Sequence, residues 1–251
     1  HLSVKSKMHL EKELTVVITT HVLPTAPSTH ILEECVNSIV SKFGGINVCD
    51  ILVYCDSRPN DVVSDQYLEN IRKNLPEVTL IENPNSGLRI NYFKAMNEVK
   101  TPYILFSEHD WVWLRDVNIT GLVRGMITSP SINFVRFNKR NNWQTHDEVG
   151  AWETHIEEAP EVTVFPLMKT NCWATHPHVI RKEKFVDDWM PVVDTVEGGW
   201  SIELSTYLSY GQAIQRDGFE KAQKDWGVFN YGGKDEPYII KHLDGSNSGR
   251  T

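Results

Sequence analysis

The sequence lacks the features of several common classes of protein. Its 251 residues include 25 lysines and arginines against 33 aspartates and glutamates, which gives a formal net charge of −8. An acidic chain without a basic stripe argues against a nucleic-acid partner, because such binding depends on Lys and Arg displacing phosphate counterions. No apolar run reaches the roughly 18–20 residues of a membrane-spanning helix. We therefore expect a globular protein with no transmembrane segment.

Cysteine is scarce, and its spacing fits neither a disulfide framework nor a zinc site. The four cysteines, Cys35, Cys49, Cys55 and Cys172, form no CxxC pair and have no histidines at zinc-ligand spacing. Cys35 falls on the apolar face of a predicted helix, so we expect a buried free thiol there. Free thiols are typical of reducing compartments, and no signal peptide is recognisable. These observations predict a cytoplasmic location.

Three common phosphate-binding or catalytic motifs are also missing. No GxGxxG follows the first predicted strand, which disfavours a dinucleotide site, and no GxxxxGK[ST] occurs, which excludes a P-loop ATPase. The lack of a GxSxG elbow weakens a hydrolase interpretation. An anionic substrate would therefore need local neutralisation by a metal ion, an arginine or a helix N-terminus.

What the sequence does contain is a regular alternation of strands and helices. Runs rich in β-branched and apolar residues predict buried strands, and apolar residues at helical spacing predict the helices between them. The predicted strands are residues 14–20, 51–54, 78–82 and 103–106, and the predicted helices are residues 31–43, 64–75 and 88–99. This order predicts an α/β fold with a mostly parallel, doubly wound sheet and helices on both faces.

The pattern becomes irregular after Asp110. We predict strands at 132–137, 162–166, 229–231 and 238–242, a helix beginning within 179–185 and another over 198–210. Residues 138–161 are polar and predicted to be irregular. For the whole chain we expect a leader or trimmed remnant at 1–13, one domain at 14–245 and a flexible tail at 246–251. Within the domain, residues 14–114 form a regular first half and residues 115–245 a more irregular second half.

Polar side chains follow all four strands predicted in the first half. In chain order they are Thr19, Thr20 and His21; Asp56 and Ser57; Asn83 and Asn85; and Glu108, His109 and Asp110. In open α/β sheets the ligand binds outside the carboxyl ends of the strands, so a continuous site along that edge is expected. Carboxylates one residue apart, at Glu108 and Asp110, suit a divalent cation held against a phosphorylated ligand. The alternative is a solvated turn with a helix cap.

The order of these motifs resembles the nucleotide-sugar half of family-2 glycosyltransferases with the GT-A fold. The motifs are Thr19-Thr20, Asp56-Ser57, Asn85-Ser86-Gly87-Leu88-Arg89 and the triplet Glu108-His109-Asp110, which stands in the place of a DxD motif. The resemblance covers residues 14–114 and continues more weakly through 198–204 and 242–245. It implies a GT-A-like enzyme that transfers a sugar from a nucleotide-diphosphate donor to a hydroxyl acceptor, with metal help and inversion. Residues 115–245 would then be the acceptor half.

The resemblance assigns several residues to the donor. It implies that Asp56 hydrogen-bonds the base, although a turn-capping role is the alternative, and that Arg89 meets the diphosphate or the base edge. Lys241 would reach the diphosphate if the end of the chain folds over the donor. The other implied donor contacts lie at the ends of the first and fourth strands: Thr19, Thr20, His21, Glu108 and His109.

A metal site is implied at the acidic triplet. Asp110 is the expected principal ligand, with Glu108 and His242 as further candidates. Glutamate is longer than the aspartate usual at the first position, so Glu108 could instead contact the ribose or a metal-bound water. A structural role is the alternative for His242. Oxygen ligands suit Mn²⁺ or Mg²⁺, and a histidine among them favours Mn²⁺.

The reaction also needs a base for the acceptor hydroxyl. We assign it to Glu203 and take Glu197 as the rival, while a solvated helix acid is the alternative for Glu203. The implied acceptor contacts are Trp200, Trp173 and Gly199, with residues 170–176 as a floor, although most tryptophans in such a chain belong to the core.

Two other functions stay open at this point. A sugar-phosphate nucleotidyltransferase would use a related sheet, but it would need a glycine-rich loop after the first strand, which residues 22–28 lack. A non-catalytic carbohydrate-binding module could use the same pocket without turnover.

Overall fold

The structure, a computed structural model, describes residues 8–142, 153–163, 165–195 and 201–243. Its strands in these ranges are β1 (Leu14–His21), β2 (Ile51–Asp56), β3 (Thr79–Glu82), β4 (Tyr103–Glu108), β5 (Trp111–Trp113), β6 (Phe134–Arg136), β7 (Ile156–Glu158), β8 (Leu167–Thr170), β9 (His178–Arg181), β10 (Val228–Tyr231) and β11 (Ile240–His242).

The helices follow the strands closely in the first half. They are α1 (Leu10–Glu13), α2 (His30–Lys42), α3 (Val62–Asn74), α4 (Gly87–Glu98), α5 (Ile119–Thr128), α6 (Lys182–Lys184), α7 (Met190–Val193), α8 (Ile202–Asp217) and α9 (Phe219–Trp226). A 3₁₀ turn spans Ile46–Val48, and a π-helical segment, Phe185–Trp189, joins α6 to α7.

One sheet of nine strands runs through the described part of the chain, in the order β3-β2-β1-β4-β9-β6-β10-β8-β7. β1 pairs in parallel with β2 and β4, and β2 pairs in parallel with β3. Only β9 and β8 run against the common direction of this sheet, because each is antiparallel to both of its neighbours. The predicted α/β fold with a mostly parallel sheet is therefore confirmed.

Apolar layers cover both faces of this sheet. Alternate residues of β1 point to opposite faces, and Val16 packs in one core cluster with Leu32 of α2, whereas Val17 packs in the other with Tyr92 of α4. Burial on both sides explains why seven of the eight residues of β1 are inaccessible and why its sequence shows no polar alternation. This is the doubly wound arrangement that the strand and helix pattern predicts.

The second half departs from the sequence-based prediction in several places. A helix was expected to begin within residues 179–185, but His178–Arg181 is the strand β9, and the helical turns begin at Lys182. Val179 and Ile180 are fully buried between β4 and β6, and so short an apolar run carries no period that separates strand from helix. Pairing on both sides decides the conformation.

Further differences between prediction and structure lie at one edge of the sheet and near the start of the described chain. The described residues of the predicted strand 162–166 are not in a strand, and the strand in this region is instead β8, which pairs with β7 and β10. β7 itself lies in a stretch predicted to be irregular. Leu10, within the predicted leader, belongs to α1 and is buried in the core. The predicted tail lies outside the described residues.

A small second sheet links distant parts of the chain. β11 pairs antiparallel with β5, so that His242 lies opposite Trp111 and Ile240 lies opposite Trp113. The four cysteines are free and buried, as predicted for Cys35, and burial raises the pKa of the Cys35 thiol to about 12. Among the described helices, none has the length and apolar character that a membrane crossing requires.

Candidate active site

A polar cavity lies at the carboxyl ends of β1, β2 and β4 and beside the first turn of α4. The empty space within it, including the part that is open to solvent, is about 280 Å³. The residues that line it are Thr19, Thr20, His21, Asp56, Gly87, Leu88, Asn91, Glu108 and His109. Six of these were predicted as site residues from the strand ends alone, and the structure brings them together.

The turn between β3 and α4 shapes one wall of this cavity. Asn85 and Gly87 adopt left-handed backbone conformations, with φ of 54° and 66°, and so reverse the chain into α4. Asp56 closes the turn, because its Oδ1 accepts a hydrogen bond of 2.9 Å from the backbone N–H of Ser86. The N-terminus of α4 therefore faces a cavity in which an anion would be stabilised.

Asn91 is a lining residue that the sequence analysis missed. It lies one turn after Gly87 on α4, is buried, and accepts a hydrogen bond of 2.8 Å on its Oδ1 from Asn83. Its position on the buried face of a helix, among Tyr92, Ala95 and Met96, is the signal that could have identified it. A buried amide on an otherwise apolar face needs a hydrogen-bonding role.

His109 is one of the most deeply buried of the predicted donor contacts. Its side chain is 3% exposed, and its Nδ1 donates to the carbonyl oxygen of Thr19 at 3.2 Å. Burial lowers the pKa of His109 to about 4, so the ring is neutral at pH 7 and Nε2 is an acceptor. Among the described residues no hydrogen-bond partner satisfies this Nε2. The ring meets His21 edge to face, at 5.0 Å between centroids.

Asp110 and His242 form a close pair at the end of β4. The Nε2 of His242 donates to Oδ2 of Asp110 at 2.9 Å, and the side chains are 28% and 9% exposed for His242 and Asp110. Desolvation favours the neutral form of Asp110, but the hydrogen bond from His242 and the charges of His109 and His242 lower its pKa overall. The same hydrogen bond raises the pKa of His242. The pairing of β11 with β5 is what holds the two residues together.

Two carboxyl groups, those of Glu203 and Glu108, meet at Thr175. Glu203 lies in the first turn of α8, where its Oε1 accepts hydrogen bonds from the backbone N–H of Thr175 at 3.1 Å and from its hydroxyl at 3.4 Å. Burial and the charges of Asp110 and Glu203 raise the pKa of Glu108 to about 8, while a hydrogen bond with Thr175 partly opposes this. Glu108 is therefore largely protonated at neutral pH. The contact of Thr175 with both carboxyl groups was not predicted.

The structure places the other predicted residues away from the cavity. Arg89 donates to Oγ of Ser205 and to Oδ1 of Asp194, both at 3.1 Å, and does not line the cavity. Trp173 is fully buried and packs on Phe134, so its ring has no exposed face for a sugar. Its assignment to the acceptor is therefore corrected to a core position.

Four predicted site residues remain, and they are Lys241, Glu197, Gly199 and Trp200. Lys241 is exposed on β11, next to His242. Glu197, Gly199 and Trp200 lie outside the described residues, and their predicted roles stay predictions.

A divalent cation is compatible with the pair at the end of β4, although the pair supplies few ligands. Asp110 offers a carboxylate and His242 an imidazole, both suited to Mn²⁺. In the part of the chain that the structure describes, no cluster of three or more His, Cys, Asp or Glu side chains is arranged to hold a metal. The remaining ligands would therefore have to be phosphate oxygens and water, as is common for ions that bind with nucleotides.

This sheet, with a polar cavity and an acidic triplet at the end of β4, defines a glycosyltransferase of the GT-A fold. The family described as Glycosyl transferase family 2 matches residues 15–178, which is more than half of the chain. The chain therefore belongs to this family, and the predicted resemblance and class of enzyme are confirmed. No curated protein sequence is a significant match.

Solved structures support the same fold. TarS residues 1–349 of S. aureus in complex with UDP-GlcNAc superposes with a TM-score of 0.54 at 13% identity, over 95% of this chain and 62% of that chain. GalNAc-T7 with UDP, GalNAc and Mn²⁺ gives a TM-score of 0.56 at 13% identity, over 94% of this chain and 45% of that chain. The chain thus spans less than two thirds of either structure, and these similarities establish the fold.

Proposed function

We propose that this protein transfers a sugar from a nucleotide-diphosphate donor to a hydroxyl acceptor, with a divalent cation at Asp110 and His242 and with Glu203 as the base. The observation that carries the proposal is the meeting of three features at one edge of the sheet. These are the polar cavity, the Asp110–His242 pair and the Glu203 carboxylate held by Thr175. Each comes from a different part of the chain.

The donor nucleotide fits the cavity by its chemistry. Asp56 offers a carboxylate and Asn91 an amide for hydrogen bonds to a base or ribose, and the neutral Nε2 of His109 offers an acceptor. The N-terminus of α4 adds a positive potential without a charged side chain. UDP-GlcNAc in the TarS structure and UDP in the GalNAc-T7 structure support a nucleotide sugar as the donor.

Asp110 and His242 would hold Mn²⁺ or Mg²⁺ against the diphosphate. Such an ion neutralises the negative charge that develops on the leaving diphosphate. The described cavity is lined by carboxyl groups and neutral side chains, with no lysine or arginine, so a diphosphate needs that neutralisation. The Mn²⁺ in the GalNAc-T7 structure supports the choice of metal.

The contacts of Glu203 support a role as the group that receives the proton of the acceptor hydroxyl. The two hydrogen bonds from Thr175 fix Oε1, which leaves Oε2 for the acceptor. A single displacement by that hydroxyl, opposite the departing diphosphate, inverts the anomeric centre. Glu108 lies close enough to Glu203 for the charges of the two carboxyl groups to interact.

Calorimetry with UDP and GDP tests the proposal. We expect one of them to bind in the presence of Mn²⁺ and to bind weakly in EDTA. Asp110→Asn should lose the metal-dependent part of the affinity, by about 10–100-fold or more, since even residues behind the ligands have effects of that size. Asp116→Asn, at an exposed aspartate, is the matched control.

Two results would contradict the proposal. One is equal metal-dependent binding in Asp110→Asn and wild type, which would remove the metal from this site. The other is binding of the diphosphate without any Mn²⁺-dependent hydrolysis or transfer of the sugar from sugar nucleotides of the same nucleoside diphosphate, which would leave a non-catalytic carbohydrate-binding module.

A further inference from the structure

The segment that follows β6 brings a lysine to the candidate metal site that the sequence analysis did not single out. Lys139 is exposed, and its Nζ lies 5.9 Å from the centroid of the Trp111 ring. The Trp111 ring in turn lies 4.6 Å from the ring of His242, which is hydrogen-bonded to Asp110. We propose that Lys139 contacts the diphosphate of the donor, an inference that rests on the proposed function.

The backbone around Lys139 is fixed in place from both sides. The carbonyl oxygen of Asn138 accepts hydrogen bonds from the backbone N–H groups of Ile239, at 2.8 Å, and Ile240, at 3.3 Å. A few residues later, the amide of Asn142 donates to the carbonyl oxygens of Tyr231 and Gly233. Lys139 therefore projects from an anchored segment beside β11, and only its side chain has to move to meet a ligand.

Strand geometry separates Lys139 from Lys241, the lysine that the family resemblance suggested. Residues directly opposite each other in an antiparallel pair share a face, and successive residues alternate between faces. His242 and Ile240 lie opposite Trp111 and Trp113, whose side chains are buried. Lys241 lies opposite Val112 and so points to the other face of this small sheet. Lys139 stands over Trp111, on the face that carries His242.

A diphosphate at this site would need a cationic side chain, because the cavity is lined by carboxyl groups and neutral side chains. No lysine or arginine lines the cavity, and Arg89, the other predicted cation, is bonded to Ser205 and Asp194. Arg58 follows β2 at the side of the cavity that Asp56 and His21 line, which the proposed function gives to the base or ribose. An exposed cation–aromatic contact is weak, so the contact with Trp111 would not by itself keep the lysine side chain from turning toward a diphosphate. Lysine suits this role as a compact charge with a long reach.

The experiment compares three lysine variants. Lys139→Met, Lys241→Met and Lys224→Met each remove one positive charge, the last from the exposed surface of α9. Calorimetry with Mn²⁺ measures the Kd of UDP or GDP, whichever wild type binds more tightly, and of the matching nucleoside. We expect Lys139→Met to weaken diphosphate binding by about tenfold, the size of one charge-assisted hydrogen bond. Nucleoside binding should change by less than twofold.

Further measurements separate a diphosphate contact from a general effect of charge or folding. Lys139→Arg should keep most of the affinity, and the affinity of Lys139→Met should depend less on salt than that of wild type. Lys224→Met should match wild type in both Kd values. An unchanged Kd in Lys139→Met, an equal loss for the nucleoside, or a larger loss in Lys241→Met would overturn the inference. Failure of wild type to bind either diphosphate would instead overturn the proposed function.

Discussion

The two halves of the molecule keep their polar residues in different places. In residues 14–114 the strands are apolar inside, and the polar side chains lie at the strand ends, around the cavity. In the second half a charged network is buried among the strands themselves. Arg136 donates to Glu153 at 2.6 Å and to Asn230 at 3.1 Å, and Asn230 also donates to Glu153, at 2.8 Å. Arg136 is 4% exposed.

Strand length explains the difference. The parallel strands of the first half have up to eight residues, and their apolar faces set the register. The strands of the second half that surround Arg136 have three or four residues and run in both directions. With so few apolar positions, the apolar faces of these strands specify their register only weakly. A buried hydrogen-bonded network, which is satisfied in one arrangement alone, can specify the register instead. We infer that the first half binds the donor and the second half supplies groups whose placement depends on this network.

The sharpest test of this division is Glu203→Gln. The variant keeps the shape of the side chain but removes the proton acceptor, so transfer should fall by about 10²–10⁴-fold. The affinity for the nucleoside diphosphate should stay near wild type, because Glu203 is not among the residues proposed to contact the donor. The measurement is kcat at saturating donor together with the Kd of UDP or GDP.

Glu197→Gln and Glu220→Gln complete this comparison. Glu220 is exposed on α9, away from the cavity, and its variant should leave kcat within about twofold of wild type, the usual range for a surface change. Glu197 is the rival base, and its variant should be milder than Glu203→Gln. A deeper loss in Glu197→Gln, or nearly normal turnover in Glu203→Gln, would assign the base to another residue.

Removing the buried carboxylate tests the role of the network. Glu153→Ala leaves Arg136 without its charged partner, and breaking a buried ion pair in this way costs about 3–5 kcal/mol of the free energy of unfolding. Urea denaturation measures this loss. The matched variant in the first half is Glu82→Ala, which removes the exposed partner of Arg72 and should cost at most about 1 kcal/mol. Equal losses in the two variants would erase the contrast between the halves.

The smallest expected effect belongs to the donor side. Asp56→Ala removes a hydrogen-bond acceptor for the base or ribose and also the bond to the Ser86 N–H. We expect the KM for the donor to rise by about tenfold, the size of one charge-assisted hydrogen bond, while kcat and the preference for Mn²⁺ over Mg²⁺ stay unchanged. An unchanged KM would return Asp56 to a purely turn-capping role.

The same contrast shows how far the sequence alone could be interpreted. In the first half, strong periods led to β1 to β4 and α2 to α4, with boundaries shifted by a few residues, and strand-end polar residues led to six residues of the cavity, but the short strand β5 was missed. In the second half, a helix was predicted to begin within residues 179–185, where the structure has β9, and the strand predicted at 162–166 is found a few residues later, as β8. Val179 and Ile180 carry no period of their own, and their pairing with β4 and β6 is a property of the assembled sheet.

In the candidate site, too, local patterns could be interpreted from the sequence, whereas contacts that depend on the assembled sheet could not. Asp110 and His242 were both assigned to a metal by family resemblance, but their contact at 2.9 Å depends on the pairing of β11 with β5, which no local pattern encodes. Thr175 belongs to the predicted acceptor floor, residues 170–176, but neither its contacts with Glu108 and Glu203 nor the place of Lys139 could be found from sequence, because both depend on residues that folding brings near. Trp173 was misassigned since an aromatic residue among polar neighbours has the same pattern in a core as in a sugar site.

The pairing of β11 with β5 also has a consequence for the time at which the site forms during synthesis. Chains emerge from the ribosome N-terminus first, and domains begin to fold as they emerge. β1 to β4 lie within the first 108 residues, whereas His242 belongs to a strand that begins at Ile240. The residues that line the cavity are thus synthesised long before His242, and Asp110 meets His242 only after β11 has been added. Until then the growing protein carries the residues proposed to bind the nucleotide but lacks one member of the pair proposed to hold the metal ion.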